Sequence, residues 1–165
     1  VVVEMKFVEI TSLNYPSVAK IYQEGIETGM ATFEETVPDW ETWKNNHLPF
    51  GNILLLVENE IVGWASLAPT SKRNAYRGVA EVSVYVAKDH QGKGYGRQLL
   101  NELIQISENN GLWTLQAGIM RENQSSINLH KNCGFREIGF REKVAKLQGI
   151  WRDNILFERR SKTII

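Results

Sequence analysis

Three glycines separated by single residues, Gly92, Gly94 and Gly96, stand between an alternating apolar run and a long amphipathic one. Upstream, Val82, Val84 and Val86 alternate with Ser83 and Tyr85, which predicts a β-strand over residues 79–86. Downstream, Leu99, Leu100, Leu103, Ile104 and Ile106 recur at helical spacing. That helix stops at Asn109-Asn110-Gly111, with Gly111 in a left-handed cap. Lys93 and Arg97 are interleaved with the glycines. Strand, glycine loop and helix N-terminus together make an anion site. Glycine lets the backbone approach a ligand, first-turn N–H groups point at it, and the helix dipole adds positive potential.

Two phosphate-binding patterns are excluded. A dinucleotide fingerprint needs a third glycine where Arg97 stands, and an acid about 20 residues later closing a second strand. A P-loop needs Ser or Thr after Gly-Lys, and Gly94 follows Lys93. The plain alternative is a glycine-rich turn, against which the flanking basic residues and the helix that follows at once both weigh.

The remaining chain fits one domain over residues 1–165, long enough for an adequate core. Lys plus Arg and Asp plus Glu each number 19, so there is no electrostatic footprint for nucleic acid or an anionic membrane. The single cysteine, Cys133, precludes an internal disulfide and suits a reducing, cytoplasmic setting. Val1-Val2-Val3 is too short for a signal-peptide core, and no apolar run is long enough for a membrane span. No His, Cys, Asp and Glu cluster has metal spacing, so no metal is expected.

In order, the pattern predicts a strand over 6–10 and a helix capped by Ser12 or Asn14, with Pro16 in its first turn. An irregular segment over 30–34 follows, then a helix over 40–47 capped by Asp39. Strands over 53–58 and 61–68 join at an Asn59-Glu60 turn, and a basic loop covers 69–78. Beyond the central helix come a strand over 112–120, a short helix ending at Cys133, and closing strands over 135–140 and 150–159. Helices set around a run of hairpin strands make a mixed α/β domain. Tryptophans 40, 43, 64, 113 and 151 are read as core or interface, and Cys133 as a small apolar filler.

Gln91-x-x-Gly94-x-Gly96 resembles the acyl-CoA-binding signature of the GNAT acetyltransferase superfamily. Asn123…Leu129-His130-x-x-x-Gly134-Phe135 resembles the second half of that core, with His130 in place of the usual tyrosine. Further matches at Ile26-Glu27-Thr28, Phe33, Arg73-Asn74-Ala75-Tyr76, Glu81-x-Ser83-Val84-Tyr85-Val86 and Trp151-x-Asp153 resemble the phosphinothricin acetyltransferase branch. Thr70-Ser71 depart from that branch, which shows a tryptophan and a lysine there.

The resemblance implies a central splayed, mostly antiparallel sheet flanked by helices, and a homodimer. It implies acetyl-CoA-dependent N-acetylation of a small L-amino acid or analogue, such as phosphinothricin, methionine sulfoximine or methionine sulfone, by direct transfer. Backbone groups of Gln91, Gly92, Lys93, Gly94, Tyr95, Gly96 and Arg97 would hold the pyrophosphate. Pantetheine would lie beside Val84, Tyr85 and Val86, with the Val86 N–H facing the thioester carbonyl. Asn123 and, more weakly, Asn132 would contact the cofactor; a helix cap is the plainer role for Asn123. Glu81 would be the base, directly or through water, against the plainer reading of a wet-face carboxylate paired with Arg73 or Arg77. His130 would protonate or hydrogen-bond the leaving sulfur, against the plainer reading of a half-buried helix histidine. Phe33, Ser71, Lys72, Arg73, Tyr76, Val82 and Ser83, with Glu81, would form the substrate side, Arg73 taking the carboxylate in a bidentate fork. A solvated basic loop is the plainer fate of Lys72, Arg73 and Arg77. The alternatives in function are another amine (a polyamine, an aminoglycoside or a protein N-terminus) or a non-catalytic acyl-CoA sensor.

Overall fold

The computed structural model describes residues 2–165. Seven strands form one sheet in the order β1-β2-β3-β4-β5-β7-β6. The strands are β1 (Met5–Glu9), β2 (Ile53–Val57), β3 (Glu60–Pro69), β4 (Val79–Val86), β5 (Thr114–Met120), β6 (Arg136–Leu147) and β7 (Ile150–Arg160). The helices are α1 (Tyr15–Glu27), α2 (Trp40–Asn45), α3 (Tyr95–Asn109) and α4 (Gln124–Asn132). Every neighbouring pair is antiparallel except β4 and β5.

Two apolar clusters cover the two faces of the sheet. On one face Leu99, Leu100 and Leu103 of α3, all fully buried, pack on Leu55, Val62, Ala65 and Val82. Each such side chain contributes about 1.5–3 kcal/mol of burial. On the other face Val18 and Ile21 of α1 and Trp43 of α2 pack on Leu54 and Trp64. Alternation along β4 therefore sends Val82 and Val84 to the α3 face, and Glu81, Ser83 and Tyr85 to the α1 face.

β4 pairs with β5 only from Val79 to Glu81, opposite Thr114 to Gln116. Past that point β5 continues against β7, while β4 continues against β3 alone. The sheet thus splays beside Val82–Val86, as the resemblance implies. The Ala87 N–H donates to Val62 on the β3 side, so ladder alternation turns the N–H groups of Val84 and Val86 into the gap.

Several local expectations need correction. The β2–β3 turn is centred on Glu58-Asn59, not Asn59-Glu60; both have positive φ, as a primed hairpin turn requires. Asn14 does not cap α1. Its side chain turns back to accept from Thr11 N–H and to donate to the Glu9 carbonyl. Asp39 does cap α2, accepting from Thr42 N–H at 2.8 Å, although the helix ends at Asn45. β6 runs seven residues past its expected end, because a bulge between Arg141 and Ala145 interrupts the alternation that marks a strand. Lys143 takes the left-handed conformation there, and its N–H donates to Asp153 at 2.9 Å. Of the tryptophans read as core or interface, Trp151 is 53 % exposed and so not core. Trp43 and Trp64 are core, and Cys133 is the buried filler expected.

Gly63 lies where β3 passes α3. A Cβ there would stand 2.7 Å from the Tyr85 carbonyl oxygen and 2.9 Å from Leu99. Gly63→Ala should destabilise the fold by about 1–3 kcal/mol, read as a lowered Tm in thermal denaturation.

Candidate active site

The glycine loop leaves β4 and enters α3 at Gly94. Gly92 and Gly94 have φ of +76° and +82°, and a Cβ on either would meet only open space. The helix begins without a side-chain cap, and the first intrahelical bond comes from the Gln98 N–H to the Gly94 carbonyl. The N–H groups of Tyr95, Gly96 and Arg97 therefore remain free at the positive end of a fifteen-residue helix. Gly96 admits Leu129 of α4, 3.3 Å from where a Cβ would lie, which seats α4 against this end of α3. The Gln91 side chain reaches back to the Val86 carbonyl. A diphosphate suits this cradle, and the gap beside Val84 and Val86 suits an extended arm with amides of its own.

On the α1 face, Glu81, Ser83 and Tyr85 line a cavity of about 350 Å³. Its walls also include Tyr22, Trp43 and Trp64, with Thr32, Glu34, Asn46 and His47 around them. Tyr85 stacks on Trp64 at 4.6 Å and lies 5.1 Å from Tyr22. Both tyrosine hydroxyls are held above the ordinary phenol range, chiefly by burial. Glu81 keeps a side open to solvent, yet the protein around it pushes its carboxyl up, with the Arg141 guanidinium opposing. Among the described residues Glu81 forms no ion pair, with Arg73 and Arg77 or otherwise.

His47 was not anticipated. Its ring stacks on Trp43 at 4.0 Å, and Nδ1 donates to the Trp43 carbonyl at 2.5 Å. Burial lowers its pKa. Glu34, Asn46 and Thr32 were missed too. They come from segments without periodic pattern, and nothing in the sequence sets them apart.

The expected residues divide. Glu81 and Ser83 meet at the cavity. Val82 does not: its side chain is buried on the opposite face of β4, as alternation dictates. Ser71, Lys72, Arg73 and Tyr76 lie on an exposed loop and are not part of the cavity wall. There Arg73 sits over the Tyr76 ring at 5.5 Å, and the Ser71 hydroxyl accepts from the Arg73 N–H. Phe33 lies between Thr32 and Glu34 but is not part of the wall. Asn123 is the N-cap of α4: its side chain accepts from Ser126 N–H at 3.3 Å and donates to the Met30 carbonyl at 3.4 Å. Asn132 is exposed at the far end of that helix. His130 is 5 % exposed, edge-on to Phe135, and Nδ1 donates to the Ser126 carbonyl at 2.7 Å. Burial lowers its pKa, so the ring is neutral and Nε2 carries a lone pair.

The acetyltransferase (GNAT) family matches residues 16–135. The chain is 33 % identical over 144 residues to the L-methionine sulfoximine/L-methionine sulfone acetyltransferase of Pseudomonas aeruginosa, covering 84 % of each. The crystal structure of a GNAT phosphinothricin acetyltransferase from Sinorhizobium meliloti in complex with AcCoA superposes with a TM-score of 0.81. It is 28 % identical, over 94 % of this chain and 88 % of that one. A ribosomal-protein-alanine N-acetyltransferase from Brucella melitensis superposes with a TM-score of 0.85 at 33 % identity, over 94 % and 99 % of the two chains. The chain belongs to the GNAT acetyltransferase family, and it is an N-acetyltransferase.

His47 and His130 stay neutral when folded and take up protons on unfolding. Their contribution to stability is complete above the unfolded value of about 6.5 and is lost as pH falls below it. Thermal denaturation should therefore show Tm falling between about pH 6.5 and 5, with a shallower fall in His130→Gln.

Proposed function

We propose that the enzyme transfers the acetyl group of acetyl-CoA to the α-amino group of a small L-amino acid or analogue of the methionine sulfone, methionine sulfoximine or phosphinothricin type. One observation carries this reading: Glu81, its carboxyl pushed up, stands where the β4–β5 gap meets the aromatic cavity. The relatives' names support the choice of amine.

Acetyl-CoA supplies the activated acetyl as a thioester. The N–H groups of residues 91–97 hold its pyrophosphate, and those of Val84 and Val86 face its pantetheine arm. The Val86 N–H donates to the thioester carbonyl oxygen and steadies the charge that develops there. The amine comes from the cavity side as an ammonium, drawn by Glu81 and Glu34. An ordinary α-ammonium has a pKa near about 8, so a carboxylate with a raised pKa is better matched to take its proton, directly or through one water. The neutral nitrogen then forms the C–N bond as the C–S bond breaks. A second proton leaves nitrogen and ends on the thiolate. His130, with Nδ1 committed to Ser126, brings no proton of its own; its place beside the leaving sulfur is as a hydrogen-bonding and positioning group.

A second reading rests on the cavity wall itself. It presents Glu34, Glu81 and four aromatic rings and no lysine or arginine, which also suits a cationic amine without a carboxylate. A homodimer in the cytoplasm completes the proposal. Ile138, Phe140, Ile150 and Trp151 on the β6–β7 hairpin are 42–60 % exposed and offer an apolar surface for a second copy.

Thiol release from acetyl-CoA should be fastest with methionine sulfone, methionine sulfoximine or phosphinothricin in a panel that also holds common amino acids, a polyamine and an aminoglycoside. Turnover confined to the cationic amines would replace the first reading by the second. Glu81→Gln should lower kcat about 10²–10⁴-fold and remove the acidic limb of the pH–rate profile, with little change in the KM for acetyl-CoA. Analytical ultracentrifugation at micromolar concentration should give twice the mass of the 18.9 kDa chain.

A further inference from the structure

Three residues of the cavity wall, Thr32, Glu34 and Pro38, come from the segment between α1 and α2. No helix or strand fixes that segment, so its hydrogen bonds decide where those residues stand. Some of the bonds are local. The Thr28 hydroxyl donates to the Gly25 carbonyl at 2.7 Å and accepts from the Met30 N–H at 3.3 Å. Gly29, at φ +70°, turns the chain out of α1, and the Glu34 N–H donates to the Thr32 hydroxyl at 3.1 Å. Others come from remote parts of the chain, and two of these bracket residues 32–34. The Met30 carbonyl accepts from the Asn123 side-chain nitrogen at 3.4 Å, and the Glu35 carboxylate accepts from the Gln148 N–H at 3.3 Å. Further on, the Pro38 carbonyl accepts from the Tyr15 hydroxyl at 2.6 Å. Neither Asn123 nor Gln148 is part of the cavity wall.

Asn123 is the firmer of the two bracketing anchors. Gln148 stands in the exposed turn between β6 and β7. Asn123 is the N-cap of α4, a helix buried through Ile127 and His130 and seated on α3 by Leu129 at Gly96. The two ends of its amide serve different elements. The oxygen accepts from the Ser126 N–H and so caps α4, while the nitrogen holds Met30. A carboxylate in its place would keep the cap and set an acceptor against the Met30 carbonyl. A serine hydroxyl would keep the cap and fall short of Met30.

We infer that Asn123 is a positioning residue for the amine: its side-chain nitrogen fixes Met30, two residues before Thr32, and thereby the Thr32 and Glu34 side of the cavity. Asn123 thus acts on acetyl transfer through the amine site and not by touching acetyl-CoA. The cofactor contact expected of it from the sequence is replaced by a contact with the chain itself. Glu34 carries charge into one wall of a cavity whose base, Glu81, stands in another, so a shift of this segment changes how the amine is held. The assignment rests on the reading of this cavity as the place where the amine binds.

The test is steady-state kinetics of wild type, Asn123→Asp and Asn123→Ser. Acetyl-CoA and L-methionine sulfone, or the amine of the panel turned over fastest, are varied in turn. Loss of one neutral hydrogen bond should raise the amine KM about three- to tenfold in both variants, with the acetyl-CoA KM unchanged. Amide hydrogen exchange in residues 28–36 should quicken by a similar factor, while exchange in α4 should not, because both variants keep its cap. An unchanged amine KM overturns the assignment, whether the acetyl-CoA KM rises, as for a cofactor contact, or stays as it was. So do an equal rise in both constants, as a merely structural residue would give, and unchanged exchange in residues 28–36. Asn123→Ser supplies the measurement should Asn123→Asp fold poorly. Failure of the underlying reading shows separately, in Glu81→Gln: transfer at the wild-type rate there puts the amine elsewhere and removes the assignment as well.

Discussion

Beyond the Glu81–Gln116 pair, the backbone of β4 has a neighbour on one side only. A strand in the middle of a sheet normally has both edges satisfied, and here one edge is given up over five residues. The core can sustain this because the side chains of the same residues are fully used. Val82 and Val84 pack under α3, while Tyr85 stacks on Trp64. The unpaired edge is thus backbone held rigid by side chains, which is what a reacting carbonyl needs from a hydrogen-bond donor. The glycine loop follows directly, so the same strand joins the open backbone edge to the free N–H groups at the start of α3.

Core and site share residues on the α1 face. Trp43 and Trp64 are 2 % and 1 % exposed, and they are also walls of the cavity that contains Glu81. The Trp64 indole nitrogen is buried without a partner, a cost that a purely structural core would avoid. His47, held by Trp43 through a stack and a hydrogen bond, belongs to the same unit. The shape of the cavity and the stability of the fold are therefore coupled here: repacking these rings means repacking α2 onto the sheet.

The elements with an unbroken period were legible in the sequence. β4, α3 and the loop between them were found almost to the residue, because valine alternation, a leucine stripe and three glycines are local signals. The opening of the sheet beside β4 was reached only through the resemblance to known acetyltransferases. The cavity was not legible. Thr32, Glu34, Asn46 and His47 come from irregular segments and a two-turn helix, and only the packing of α1 and α2 brings them to Glu81. The Val82 side chain stands on the opposite face from Glu81, because strand alternation separates adjacent residues.

The half-paired strand also bears on how the molecule responds to heat. The open edge of β4 leaves the sheet one strand short, and a ligand with amides of its own can complete it. Such a ligand makes contacts that exist only when β3, β4, β5 and α3 are all in place, so its binding free energy is at once cohesion of the fold. By linkage, saturation at a hundred times Kd adds about 2.7 kcal/mol against unfolding. Its concentration in the surroundings then sets what fraction of the chain is folded.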